Sequence, residues 1–336
     1  PDTMFRIASM TKALTSVAAL QLIERDRLAL DTKVESLIPA FAELRVLDGW
    51  DGETPRLRMP ARPVTVRDLM THTSGHGYFF TSDELTRYHA ATGTPSVLTG
   101  ELAALRTPLL FDPGARWEYG ISTDWLGQVV EMVAGQDLGS YFAEHITGPL
   151  GMTDTTFAPS DEQRARLMPV HHRMPDGGLV AGELELAEDP EFFSGGGGLY
   201  ATGRDYARFM AALLDDGGPL LRADTVALAF TDHVEATPLP EVIKSAAPEI
   251  INDVPAPPWP TGFGLGFQLN LVDLPGMRRA GTGSWSGLFN SYFWIDRASG
   301  IAGALLTQVL PFFDDGVVET ALGLEQAVYA KVGAPA

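Results

Sequence analysis

Apolar residues recur at Leu14, Val17, Ala18 and Leu22, near helical spacing, and predict a mostly apolar helix over residues 10–24. Leu28 to Ile38 reads as a connection with a turn. Residues 49–63, rich in proline, glycine and arginine, read as loop. Thr65-Val66-Arg67-Asp68 opens a capped short helix running to Thr71. After the turn Phe111-Asp112-Pro113-Gly114, Ser122 is placed to cap a helix with Leu126, Val129, Val130 and Val133 on one face and Gly135 as its stop. A second helix follows over about 137–147 and ends at Pro149-Leu150-Gly151-Met152. Residues 169–193 alternate turn formers with acidic residues and read as a peripheral loop. Thr202 caps a further helix to Leu214.

Beyond it the pattern shifts toward strands. Residues 237–260 hold seven prolines and read as a long surface excursion, because strand patterns resume at once afterwards. Strands are expected over 263–273, 276–281, 289–296 and 301–309, and a helix over 315–331. Their short connections imply antiparallel neighbours. The fold class is therefore α+β: an antiparallel sheet flanked by helices, plus a mostly helical region. Residues 1–50 and 190–336 would form the α/β domain and residues 51–189 a helical and loop domain, with the active site between them.

Composition narrows the classes of function. Of 336 residues, 45% are hydrophobic and 20% charged, as in a globular protein with a large core. There is no cysteine, which excludes disulfides, thiolate metal sites and cysteine nucleophiles. The net charge of −19 disfavours nucleic acid and anionic membranes as partners. Arg56, Arg58, Arg62 and Arg67 make the densest basic stretch, which prolines and apolar residues interrupt. No apolar run reaches the roughly 18 residues that span a bilayer. No signal peptide is visible, which favours the cytoplasm over secretion; the start at Pro1, close before Ser9, leaves a processed N-terminus open.

The candidate chemistry begins in Phe5-Arg6-Ile7-Ala8-Ser9-Met10-Thr11-Lys12. Ser9 and Lys12 stand one helical turn apart at the start of the first apolar helix. A serine hydroxyl becomes a nucleophile when a base takes its proton, and a buried lysine one turn away can be that base. Ser9 is equally a favoured N-cap, so the pair needs support from the rest of the chain. Tyr119, in Arg116-Trp117-Glu118-Tyr119-Gly120-Ile121-Ser122, is the best proton shuttle. An oxyanion needs two backbone N–H groups, one from Ser9 and one from a facing strand. The glycine-rich Gly281-Thr282-Gly283-Ser284-Trp285-Ser286-Gly287-Leu288 is the segment where backbone can approach a ligand. A serine-histidine-aspartate triad is the weaker alternative, since Gly283 to Gly287 carries Trp285 where a nucleophile elbow carries serine. His72 and His76 lack the acidic neighbour of a zinc-protease helix. Gly195 to Gly198 lacks the lysine of a phosphate loop and reads as close backbone packing.

Together these motifs resemble the serine β-lactamase-like superfamily, most closely its family VIII carboxylesterases, which are similar to class C β-lactamases. The resemblance covers nearly the whole chain. It is carried by Phe5 to Lys12, Leu69-Met70-Thr71-His72-Thr73-Ser74-Gly75, Trp117 to Gly127 with Glu131, Pro149 to Met152, Gly195 to Leu199 with Asp205-Tyr206, and Trp285 to Asp296. It implies the β-lactamase/DD-peptidase-like fold, Ser9 as acylated nucleophile, Lys12 as its base partner and Tyr119 as second base and acid. Trp285-Ser286-Gly287 stands where penicillin-interacting members carry lysine-threonine-glycine, and Leu288 would supply the second oxyanion N–H. A competing register puts Gly281-Thr282-Gly283 at that motif and Ser284 at the oxyanion hole.

Three departures from the family pattern matter, and two of them bear on the substrate. Tyr119-Gly120-Ile121 lacks the asparagine that holds a β-lactam side chain. Trp285 replaces the lysine that pairs with a β-lactam carboxylate. The N-terminal segment that usually adds a helix and strands precedes where this chain begins. The first two losses favour neutral esters over penicillins, because a desolvated carboxylate without a partner costs several kcal/mol. The expectation is a serine carboxylesterase acting on short-chain or aryl esters, with no metal or cofactor. Tyr78, Phe79, Phe80 and Trp285 would line the substrate pocket. A β-lactamase, an amide or peptide hydrolase, an acyltransferase or a catalytically silent binding protein on the same scaffold are the alternatives.

Overall fold

The computed structural model describes residues 1–182, 187 and 189–332. Helix α1 (Thr11–Glu24) is buried on all sides, with every side chain from Thr11 to Leu22 inside. A helix that is apolar around its whole circumference belongs at the centre of a large protein. Ala13, Ala18 and Ala19 let neighbouring backbone come close. Strand β1 (Met4–Arg6) and a 3-10 turn, Ala8–Met10, lead into it.

Two stretches expected to be loop contain strands. Within 49–63, β2 (Val46–Asp51) and β3 (Thr54–Arg58) form a hairpin across Gly52, whose φ is +61°. Pro55 is tolerated there because the pair has no third strand, and most of β3 faces solvent, so no apolar alternation marked it. Within 169–193, β4 (Val170–Arg173) and β5 (Leu179–Gly182) form another hairpin. Its anchor is remote in sequence, since β4 pairs in parallel with β14, given below. Strand β6 (Tyr200–Thr202) pairs antiparallel with β1, Met4 opposite Thr202.

The capped helix at Thr65 forms as Val66–Met70, with Thr65 and Asp68 in a reciprocal capping box. Leu28 to Ile38 holds one helical turn, Val34–Leu37. Helix α2 (Ser122–Ala134) ends at Gly135 in a left-handed cap, φ +78°. Ser122 does not cap it. Its hydroxyl lies 2.8 Å from that of Ser74, tying α2 to the loop after the Val66–Met70 helix. The helix expected over 137–147 runs from Leu138 through a π-helical turn, Ala143–Thr147, to Leu150. Helix α3 (Gly203–Leu214) is capped by Thr202 as the sequence implied.

The proline-rich stretch carries a short hairpin, β7 (Val242–Ile243) with β8 (Val254–Pro255). Next comes a five-stranded antiparallel sheet in the order β13-β12-β11-β10-β9. Its strands are β9 (Thr261–Phe263), β10 (Gln268–Asn270), β11 (Gly283–Gly287), β12 (Ser291–Asp296) and β13 (Ile301–Leu305). The single strand expected at 263–273 is two, because the chain folds back at Gly264–Gly266. A Cβ on Gly264 would lie 2.1 Å from Ala229 O, and Gly266 takes φ +99° against Ser16 of α1. The strand expected at 276–281 is a turn, and β11 begins after it. Strand β14 (Val309–Leu310) and helix α4 (Asp315–Val332) complete the chain. Helix α3 lies against β12 and β13, and α1, α2, α3 and the inner face of the sheet share one apolar core. This is the β-lactamase/DD-peptidase-like fold.

Candidate functional site

Ser9 sits in the 3-10 turn that feeds α1, one residue after Ala8, which is held at φ +44°. A non-glycine residue in that region is strained and persists only where its surroundings impose it. Here Ile7 N–H donates to Leu199 O and Met10 N–H to Ile7 O, fixing the turn from both sides. The α-helix proper starts at Thr11, yet the turn runs straight into it, so Ser9 and Lys12 share a face as their spacing predicts.

Two side chains converge on the Ser9 hydroxyl. Tyr119 OH donates to Ser9 Oγ at 2.5 Å, and Lys12 Nζ donates to it at 3.2 Å. Lys12 is only 2% exposed. Its Nζ also lies 3.0 Å from Tyr78 OH and 2.6 Å from Gly196 O. With Ser9, Tyr78 and Gly196 all in hydrogen-bond reach, the nitrogen has one position. Tyr119 is held by what its neighbour permits: a Cβ at Gly120 would lie 2.3 Å from His76 O, so only glycine lets this loop close against Gly77.

Asp124, which no sequence motif singled out, is part of the same arrangement. It is fully buried in the first turn of α2. Its Oδ1 accepts Ser194 Oγ–H at 2.6 Å and Gly196 N–H at 3.1 Å. The residue whose N–H binds Asp124 is thus the one whose carbonyl binds Lys12. Burial pushes the Asp124 carboxyl up, and the charge of Lys12 acts in the opposite direction. Tyr78 is pushed well above the usual phenol range by burial first and then by the charge of Asp124. An aspartate inside the apolar start of a helix, five residues after Tyr119, was the available signal. The glycine run confirms its expected packing role, since a Cβ on Gly196 would lie 2.3 Å from the Asp124 carboxylate.

The β11 segment closes the other side. A Cβ on Gly287 would lie 2.4 Å from Ile7 O, so β11 ends pressed against the turn that carries Ser9. Leu288 follows and packs against the small cluster of Ala8, Val170, Phe289 and Leu310. Gly283, by contrast, faces the Phe230 ring. The Gly287-Leu288 register therefore meets the Ser9 turn, and the Gly283-Ser284 register does not. The Trp285 ring lies 5.1 Å from that of Tyr119 and stacks near His72 at 6.5 Å.

Of the three consecutive aromatics, Tyr78 and Phe80 stack at 4.7 Å and both face the cavity that opens over Ser9. Phe79 does not line it. In the Phe79–Thr81 3-10 turn, Phe79 stands edge-on to Phe80 at 5.3 Å and packs on His89 on its other side. Ser286, Trp285 and Leu288 do line the cavity, whose volume is about 1420 Å³. The proline-rich stretch, expected as a surface excursion, supplies part of its wall through Leu239, Ile243 and Trp259.

Neither histidine touches Ser9. His72, at φ +58°, is buried among Trp117, Tyr119, Phe263 and Trp285, and burial, reinforced by Lys12, holds its pKa well below the usual value. His76 faces Ser74 Oγ at 3.0 Å, and burial lowers its pKa to about 3. Both rings are neutral packing elements at neutral pH.

A family model described as Beta-lactamase matches residues 1–327. The lovastatin esterase of Penicillium rubens is 33% identical over 99% of this chain and 86% of its own length. The monacolin J acid methylbutanoyltransferase of Aspergillus terreus is 35% identical over 98% of this chain and 83% of its own. The structure of simvastatin synthase from Aspergillus terreus superposes with a TM-score of 0.85 at 33% identity, covering 99% of this chain and 85% of that one.

Proposed function

The chain belongs to the beta-lactamase family and is a serine hydrolase acting on esters, and from that premise we propose that it cleaves short-chain or aryl carboxylic esters through an acyl-enzyme on Ser9. The observation that carries the reading is the convergence of Tyr119 OH and Lys12 Nζ on Ser9 Oγ, at 2.5 and 3.2 Å. Lys12, acting as a neutral amine, takes the Ser9 proton directly or by way of Tyr119 as Ser9 Oγ attacks the acyl carbon. The carbonyl oxygen collects charge before the N–H groups of Ser9 and Leu288. Tyr119 returns the proton to the departing alcohol, and the ester bond breaks as the acyl bond to Ser9 forms. Water then attacks the acyl-enzyme by the reverse proton path. Asp124 orients Lys12 through Gly196.

Two features favour esters over β-lactams. Trp285 replaces a cation with an indole against Tyr119, and Ile121 replaces the amide two residues beyond Tyr119. The test follows p-nitrophenyl acetate and butyrate, and a chromogenic cephalosporin, with wild type and Ser9→Ala. Ester turnover should fall by at least about 10³-fold in the variant, with little cephalosporin turnover in either. Rapid cephalosporin cleavage by wild type would overturn the ester preference, and Ser9-independent ester turnover would overturn the mechanism.

A second reading rests on cavity size. Pockets for drug-sized ligands measure roughly 300–1,000 Å³, and this cavity exceeds that at about 1420 Å³. There is room for an alcohol to take the acyl group in place of water, and the Aspergillus relative is a methylbutanoyltransferase.

A further inference from the structure

Arg6 is a cation in the cavity wall that pairs with no anion among the described residues. It ends β1, three residues before Ser9, and its backbone is clamped: Arg6 N–H donates to Gln308 Oε1 at 3.1 Å and Gln308 Nε2 donates to Arg6 O at 3.0 Å. The guanidinium carbon lies 5.8 Å from the centre of the Tyr200 ring, on the strand opposite. Its Nε is buried and has no hydrogen-bond partner among the described residues. Two other arginines at this end of the molecule, Arg166 and Arg204, are paired. Arg166 meets Asp154 at 2.5 Å and Glu162 at 2.9 Å, and Arg204 meets Asp2 at 3.2 Å. Arg6 makes no such pair among the described residues, although the chain carries 43 acidic residues against 24 basic ones.

Arg6, Tyr200 and Arg164 line the same cavity as Ser9. Arg164, exposed at the rim, also makes no ion pair among the described residues. Asp189 faces the cavity too, without pairing with either arginine. A partly desolvated guanidinium left without a counter-ion is costly. Its planar fork matches a carboxylate in two parallel hydrogen bonds. In a chain of net charge −19, an anion is repelled at a distance, so binding one needs a local cation of this kind.

We propose that Arg6, with Arg164 at the rim, binds a free carboxylate carried by the ester substrate, so that the preferred substrate is an anionic ester and not a neutral one. The proposal rests on the Ser9 ester reading above and changes one element of it. Where Trp285 stands, the cavity lacks a cation for a carboxylate; Arg6 supplies one from the β1 side of Ser9.

The test uses two ester pairs that differ in charge. One is 4-(butyryloxy)benzoate with its methyl ester, which places the carboxylate on the alcohol side. The other is mono-4-nitrophenyl glutarate with its methyl ester, which places it on the acyl side. In at least one pair, wild type should favour the anion by about tenfold or more in kcat/KM, through KM. The preference should shrink as salt rises from ~0.05 to ~0.5 M. Arg6→Gln should remove it and Arg6→Lys should keep part of it. The readout is a ratio, so general loss of activity in a variant leaves it legible, and the salt series needs no variant. Neutral esters cleaved in a Ser9-dependent way, with no anion preference in either pair, would overturn the carboxylate site alone. A preference unchanged by Arg6→Gln would do the same. No Ser9-dependent turnover of any of the four esters would overturn both this site and the reading beneath it.

Discussion

Local geometry dictates how Ser9 and Lys12 relate, which makes the pair legible in the sequence. Three residues along a helix start bring Ser9 to Lys12 whatever surrounds them, and the motif around Tyr119 identifies the third group. Asp124 is not legible in this way, since its role depends on Gly196, far away in sequence, placing an N–H on its carboxylate and a carbonyl on Lys12. The histidines show the same division. Their neutrality follows from burial, which no spacing reports, and it makes a testable statement about pH. His76 titrates near 3 in the fold and near 6.5 in the unfolded chain. As pH falls below about 6.5 the unfolded state takes up a proton that the native state refuses, so stability declines with acidification, by up to ~1.4 kcal/mol per pH unit for this group. Urea midpoints from pH 7 to pH 4.5 should fall more steeply for wild type than for His76→Asn. Parallel slopes would show that His76 carries none of the pH dependence.

At the scale of elements, α1 and β11 meet at the Ser9 turn, and Gly287 sets how closely. An alanine there would put a methyl group 2.4 Å from Ile7 O, backbone against backbone, so β11 must retreat. Leu288 N–H would retreat with it. Gly287→Ala should therefore lose about 10²-fold in kcat on p-nitrophenyl butyrate, the magnitude for one displaced oxyanion donor, while circular dichroism still reports a folded chain. Near wild-type kcat would show that Leu288 does not serve the oxyanion. Element types were largely legible, and boundaries failed where tertiary contacts cut the pattern. Gly264 and Gly266 break one apolar run into β9 and β10 because Ala229 and Ser16 stand in the way. The β4 strand escaped notice because its support, β14, is more than a hundred residues away.

Over the whole molecule, the cavity is wider than the chemistry of a short ester needs. Its wall draws on β1, the loop after the Val66–Met70 helix, the proline-rich stretch and β11, four regions that no local pattern connects. If the space receives an alcohol, adding 1-butanol to a p-nitrophenyl butyrate reaction should divert product from butyrate to butyl butyrate while p-nitrophenol release stays constant or rises. Butyrate as sole product at every butanol concentration would confine the protein to hydrolysis.

What the sequence determined by itself was whatever depends on neighbours within a turn or two: the central apolar helix, the Ser9–Lys12 pair, the Thr65 and Thr202 caps, and the motifs that mark a serine ester hydrolase. Helical pitch and side-chain chemistry suffice for these. Only the tertiary structure decided which cations lack a partner among the described residues, which aromatics face the nucleophile and which glycine presses on its turn. Each of those is set by distances between segments far apart in the chain, and close packing, which the sequence encodes only collectively, is what sets such distances.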